Sequence, residues 1–318
     1  MPKKAKCLLL FSGGLDSILA AKILMEQKIS IAGLTFKSCF FGEKQAKEAA
    51  LQLNSGQVEE KGRFKLKVVD ISKEHLKIVK KPKYGYGKNM NPCIDCHLLM
   101  LKEARKIMGK ERFDFVSTGE VLGERPMSQN KNILRLLEKE SGLKGRLLRP
   151  LSAKLLEPTI SEKEGQVNRE KLFSISGRQR KKQFDLAKSF RIKKYPTPSG
   201  GCCLTYKEFS KKLEELFKKW PNANCKDIEI LDNGRVFWEK DSLIVVGRDE
   251  KDNKEIKKLK QKDDLIIEPK KIPGPTTLIR GLNKKTPETI IERAKELTKK
   301  YSKSEKGGKV EFIIINYP

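Results

Sequence analysis

Hydrophobic positions in the first 120 residues change period repeatedly. "KCLLLF" (6–11) is a continuous apolar run too short for a helix, the pattern of a strand buried on both faces. Over 15–27, Leu15, Ile18, Leu19 and Ile23 recur at helical spacing. "ISIAGLTF" (29–36) predicts a second strand and residues 43–54 a second helix. "FKLKVVDIS" (64–72) reads as a third strand, "CHLLMLKEARKIMG" (96–109) as a helix ended by glycine, and "FDFVSTGE" (113–120) as a fourth strand. Such alternation predicts an α/β fold, a doubly wound parallel sheet with helices on both faces and ligands bound beyond the carboxyl ends of its strands.

The second half has a different texture. A basic helical stretch, "GRQRKKQFDLAKSFRIKKYP" (177–196), is followed by "PTPSGGCC", whose prolines and glycines mark a boundary. Thr205 and Glu208 have capping-box spacing ahead of a helix carrying Phe209, Leu213, Leu216, Phe217 and Trp220 on one face. Strands "RVFWEK" and "SLIVVGRD", a Lys-rich helix (251–262) and strand "DLIIEP" come next. "KIPGPTTLIRG" reads as a structured loop, and a helix (287–302), a flexible "KSEKGGK" and strand "VEFIIINY" close the chain. The expected division is 1–198, a larger α/β domain with its basic helical extension; 199–282, a smaller α+β domain; and 283–318, a last helix and strand. Phe237 and Trp238 read as core of the smaller domain.

Composition adds three things. The 318 residues are 37% hydrophobic, enough for two domains with a proper core. No apolar stretch is long enough to cross a bilayer, and the start lacks a signal-peptide pattern, so a cytoplasmic protein is expected. Lys and Arg number 69 against 41 Asp and Glu, a net charge of +28. A heat-adapted surface raises lysine together with glutamate. Here the acids lag, and a one-sided positive field attracts polyanions, nucleic acid above all. Seven cysteines in such a chain do not suggest a disulfide framework. Cys93/Cys96 and Cys202/Cys203 form two tight clusters, while Cys7 reads as a small buried side chain.

"FSGGLDS" (11–17) joins the first strand to the first helix. Gly13 and Gly14 allow backbone N–H groups to turn inward on an oxyanion, the following helix adds its positive end, and Ser12 and Ser17 offer hydroxyls. Asp16 would repel phosphate unless a cation intervened, which points to Mg²⁺. Neither G-x-x-x-x-G-K-[ST] nor G-x-G-x-x-G is present.

At these residues the chain resembles the PP-loop ATP pyrophosphatases, whose signature is SGGxDS. The resemblance implies that Ser12, Gly13, Gly14, Asp16 and Ser17 hold the pyrophosphate of ATP, that an AMP group is transferred to a substrate oxygen, and that the end of the second strand, with Phe36, lies near the adenine. "NMNPCIDCH" (89–97) resembles the NPxxxCN segment of the tRNA 2-thiouridylases, with Cys96 at their catalytic cysteine. "STGEVLGERPMSQNKNILR" (117–135) and "LLRPLSAK" (147–154) resemble stretches of the tRNA 4-thiouridine synthetases, which implies that Gly119 and Glu120 lie near the nucleotide. Cys93 is an addition to the 2-thiouridylase pattern, and Glu120 stands where those enzymes have histidine. "SGGCCLT" through "PGPTTLIRG" (199–281) resembles the RNA-binding NFACT-R domain, with Cys202 matching its one cysteine.

These resemblances imply an ATP-dependent tRNA thiolase, with tRNA and a sulfur donor (sulfide or a persulfide carrier) as partners and no membrane. Replacing a uracil oxygen by sulfur requires the oxygen to become a leaving group and a sulfur nucleophile to reach the same carbon. Cys93, Cys96 and Cys202 could hold a 4Fe–4S cluster with one iron open to sulfide. Two of them could instead carry a persulfide and its disulfide partner, or the group could bind structural zinc. Cys203 is the substitute for Cys202. The start of a helix at Cys93 and Cys96 is expected to favour thiolates. Asp95 reads as a surface acid or a proton handler, His97 as a fourth ligand or a packing residue, and His75 as solvated. Arg178, Arg180, Lys181 and Lys182 are candidate tRNA contacts, each equally well read as part of a solvated basic face. Two other readings stand beside this one: a PP-loop amide ligase acting on a small acid, and a non-enzymatic RNA-binding factor that keeps the nucleotide fold.

Overall fold

The computed structural model describes residues 4–55, 64–196, 202–281, 288–303 and 310–316. The chain divides into two compact units, Met1–Cys202 and Cys203–Pro318. The expected boundaries at 198/199 and 282/283, and most of "PTPSGG" and "KSEKGGK", lie outside the described residues.

In the first unit the strands are β1 (Lys6–Leu10), β2 (Ser30–Lys37), β3 (Lys65–Asp70), β4 (Phe115–Thr118) and β5 (Leu147–Leu148). They lie in the order β3-β2-β1-β4-β5, all parallel. This is the doubly wound α/β arrangement that the alternation predicts. Strand period 2 sends alternate residues of β1 into two cores. Cys7 and Leu9 join the cluster containing α1 (Leu15–Glu26) and α2 (Lys44–Asn54). Leu8 joins the one containing α4 (Cys93–Lys110) and α5 (Lys131–Ser141). α3 (Ser72–Lys80) follows β3 directly. α4 begins three residues earlier than the apolar spacing suggests, so both cysteines of the CxxC fall in its first turn, and it runs through Gly109. α5 is bounded by the Asn130 side chain, which accepts the Ile133 N–H at 3.0 Å, and by Gly142 in the left-handed conformation.

α1 is buried on nearly every face: Ile18, Leu19, Ala20, Ala21, Ile23 and Leu24 are all inaccessible. Its outer side is covered by the chain after β5, which passes through the short α6 (Ile160–Lys163) to α7 (Lys181–Ser189), and α7 packs on α1. The basic stretch is therefore one helix of nine residues, its Ala187 and the following Ile192 in the core.

The second unit holds α8 (Lys207–Lys219), α9 (Cys225–Glu229), β6 (Arg235–Glu239), β7 (Ser242–Val246), α10 (Glu250–Leu259), β8 (Leu265–Pro269), β9 (Thr277–Arg280), α11 (Glu288–Lys300) and β10 (Phe312–Asn316). Its sheet runs β10-β8-β9-β7-β6, antiparallel throughout. α11 closes one face of it through Ile290, Ala294 and Leu297. Two expectations are corrected here. "TTLIR" is not loop: Thr277–Arg280 is a fully buried strand between β7 and β8. The capping box at Thr205 does not form, because Thr205 ends a 3₁₀ turn and Tyr206 takes the cap position without a side-chain bond.

Candidate functional site

β1 and β4 are neighbours, and the helices that follow them, α1 and α5, pack on opposite faces of the sheet, so the carboxyl ends of these two strands are the switch point of the fold. Both glycine stretches sit there. Gly13 has φ +76°, and a Cβ on it would meet the Gln45 carbonyl oxygen at 2.5 Å, so only glycine fits. The Ser17 hydroxyl donates to the Gly14 carbonyl at 2.8 Å, and the Gly14 N–H donates to Ser12 Oγ at 3.3 Å. No side chain caps α1, so its first-turn N–H groups face outward as an anion-binding end. From β4, Gly119 lies directly on this turn: a Cβ there would come within 2.6 Å of Asp16 C and Ser17 N.

Asp16 Oδ2 is 2.7 Å from Arg180, whose other terminal nitrogen is 2.7 Å from Glu124. Burial raises the pKa of Asp16, opposed by Arg180 and Arg125. Burial also raises that of Glu124, with the Asp16 charge adding and the same two arginines opposing. Asp16 Oδ1 is buried without a hydrogen-bond partner, an orphaned acceptor that suits a cation such as Mg²⁺.

Glu120 turns inward. Its carboxylate meets Arg149 Nε at 2.9 Å, His97 Nδ1 at 3.1 Å and the Thr118 hydroxyl at 3.1 Å. Burial opposes its charge, yet Arg149 and His97 outweigh burial and hold the carboxyl well below the usual range. Arg149, wholly buried, also binds Glu138. Phe36 is packed in the α4-side core.

Cys93 and Cys96 lie one turn apart at the start of α4. Burial works against the thiolates expected there. It pushes the Cys93 thiol up against the Arg125 charge and a hydrogen bond with Asn91. It pushes Cys96 up further, with Cys202, Cys93 and Asp95 adding to the effect. Cys96 thus feels the charge of both other thiols. Among the described residues, however, no group of three His, Cys, Asp or Glu side chains is arranged to hold a metal ion. In kind, three soft sulfur donors fit an iron–sulfur cluster.

Asp95 is neither a surface acid nor open to solvent. It is buried and accepts the backbone N–H groups of Lys83 at 3.1 Å and Tyr84 at 2.9 Å, which ties the preceding loop to α4. His75 is also corrected: it is buried between Phe40 and Phe41, Nδ1 2.8 Å from Ser38 Oγ, its pKa lowered to about 4 by burial. Of the four basic candidates, Arg178, Lys181 and Lys182 are exposed and Arg180 is not. Glu124, Arg125, Arg149 and Glu138 were not singled out by the sequence reading, although the quoted "GERP" and "LLRP" stretches contain three of them.

A parallel sheet ordered in this way, with a glycine turn at the switch point and a second glycine packed upon it, defines a nucleotide-binding α/β protein of the PP-loop type. Residues 3–156 match the family model described as thiamine biosynthesis protein (ThiI), and residues 234–317 match the NFACT protein RNA binding domain. The chain therefore carries a ThiI-family domain followed by an NFACT RNA-binding domain. No curated protein matches it. Among solved structures, the chain is similar to the U34-tRNA thiolase NcsA from Methanococcus maripaludis with its [4Fe-4S] cluster, at 20% identity and TM-score 0.36, covering 72% of each chain. A 4-thiouridine synthetase–RNA complex with bound ATP is 19% identical at TM-score 0.37, with 59% of this chain and 52% of that one covered. A predicted subunit of tRNA methyltransferase from Methanocaldococcus jannaschii is 21% identical at TM-score 0.34, with 46% of this chain and 67% of that one covered. At such distances none of the three carries the argument that follows. No helix among the described residues is long and apolar enough to cross a membrane.

Proposed function

We propose that this protein is an ATP-dependent tRNA sulfurtransferase. The observation that carries the reading is that two consecutive residues after β4 join the turn to the CxxC helix: Gly119 packs on the backbone of Asp16 and Ser17, where a Cβ would come within 2.6 Å, and Glu120 holds His97, the residue after Cys96, at 3.1 Å. A turn suited to polyphosphate and a pair of thiols thus belong to one neighbourhood, as activation followed by sulfur transfer requires. The ThiI-family match over the first unit and the RNA-binding match over the second support the same assignment.

In this reading Ser12, Gly13, Gly14 and Ser17 bind the pyrophosphate portion of ATP, and Asp16 holds Mg²⁺. A uracil carbonyl oxygen attacks the α-phosphorus, a new P–O bond forms, and pyrophosphate leaves. Sulfide then forms a bond to the ring carbon, and AMP departs with the former carbonyl oxygen. Where the sulfur comes instead as a cysteine persulfide, its terminal sulfur makes that bond, and a second cysteine thiolate then attacks the carrier sulfur, breaking the S–S bond and leaving a disulfide. Cys93, Cys96 and Cys202 would hold a 4Fe–4S cluster, which when bound supplies an open iron for the incoming sulfide. Gly119 keeps the turn unobstructed, and Glu120, fixed by Arg149, orients His97 beside the cysteines. Arg178, Lys181, Lys182 and the second unit bind tRNA.

The test has two arms. Nucleoside analysis of tRNA from a deletion strain is expected to lack one thiouridine; an unchanged thionucleoside profile rejects thiolation. Anaerobic purification with an iron count is expected to give about four irons per chain in the wild type and a loss in Cys93→Ala. A colourless, iron-free wild type rejects the cluster and leaves persulfide chemistry.

A further inference from the structure

Arg180 reaches the glycine turn from the covering helix. It occupies the N-cap of α7, which packs on α1. Its guanidinium bridges Asp16 and Glu124, 2.7 Å from each, so one carboxylate from the first turn of α1 and one from the loop after β4 fix one planar cation. Each bridge uses one N–H, and a guanidinium has five. Asp16 Oδ1 and Arg180 Nε are both buried without a hydrogen-bond partner. One turn along α7, Gln183 is fully buried, and neither atom of its amide is paired. The seam between α7 and the turn carries more polar capacity than the protein groups around it use. Arg178, Lys181 and Lys182, adjacent in sequence, are exposed; Arg180 alone is turned inward.

We infer that Arg180 is a polyphosphate-binding residue of the nucleotide site, positioned by Asp16 and Glu124 to donate its remaining N–H groups to the phosphates of a nucleoside triphosphate at residues 12–17, and that it is not one of the RNA-binding cations of the basic stretch. The planar fork matches phosphate oxygens in a way lysine cannot. Arg125 places a second positive charge in the same neighbourhood, offsetting the two acids.

The inference rests on reading the turn as an ATP site, and the test separates the two. Binding of Mg-ATP and of AMP is measured by calorimetry on the full chain, with tRNA affinity measured in parallel without nucleotide. Arg180→Gln is expected to weaken ATP binding about tenfold or more while changing AMP affinity by no more than about twofold. Its tRNA affinity is expected to stay at the wild-type value. Unchanged ATP affinity, an equal loss of ATP and AMP, or a loss of tRNA with ATP intact would each overturn it. Should R180Q fail to fold, Arg180→Lys keeps the charge and loses the fork. A several-fold loss confined to ATP then supports the inference, and wild-type affinity sinks it. A wild-type protein that binds no ATP rejects the reading of the turn itself, whatever the variants do.

Discussion

A histidine enclosed by two phenylalanines cannot take up a proton cheaply. His75 has its pKa lowered to about 4 in the folded chain, against 6.5 for the unperturbed group. The unfolded chain therefore binds the extra proton first, and stability falls as pH drops from about 6.5 toward 4. By pH 5 the loss is about 2 kcal/mol. Urea unfolding at pH 7.5 and pH 5 measures it, and His75→Gln is expected to be less stable at neutral pH but to show a smaller acid loss. Arg149 makes the opposite case, a buried cation held by Glu120 and Glu138. Replacing it with methionine leaves Glu120 without its guanidinium, which is expected to cost about 3–5 kcal/mol. The same change releases the carboxylate that orients His97. Chemical denaturation reads the first effect, and the His97 imidazole resonances read the second.

Elements built from local pattern were legible; elements decided by distant partners were not. β1, β2 and β4 show in the apolar runs, because burial on both faces leaves a continuous signature, whereas β3, at the sheet edge and nowhere fully buried, shows in the alternation of Lys65, Leu66, Lys67 and Val68. β9 has only four residues between proline–glycine and glycine, and its pairing with β7 and β8 is non-local. The glycine turn and the CxxC helix could be read because spacing alone defines them. The clamp around Arg180 and the Glu138–Arg149–Glu120–His97 chain could not, since their members come from segments far apart in sequence. Gly119 lies between these cases. The quoted "STGE" contains it, but only the structure gives the reason for glycine, a Cβ–backbone distance of 2.6 Å to Asp16 and Ser17. Gly119→Ala must push the turn away from β4. It is expected to weaken ATP binding by about tenfold or more at a stability cost of about 1–3 kcal/mol, an overpacking effect. Calorimetry and thermal unfolding of the same variant check both parts.

At the scale of the whole molecule the dominant quantity is the charge of +28. A diffuse field and a localised contact make different predictions. If tRNA is held by particular cations, each phosphate contact releases counterions, and the log of affinity falls linearly with the log of salt concentration. Lys181 and Lys182 are exposed at the start of α7. Reversing both to glutamate lowers the net charge by four, from +28 to +24. So does reversing Lys163 and Lys171, which are exposed elsewhere in the first unit. A field effect weakens tRNA binding equally in the two double variants. A contact effect shows only at Lys181 and Lys182, with the salt slope reduced by about two and ATP affinity unchanged. The second outcome is expected, because α7 presents those lysines next to the helix cap whose arginine is fixed at the glycine turn, so RNA bound there would lie close to the nucleotide.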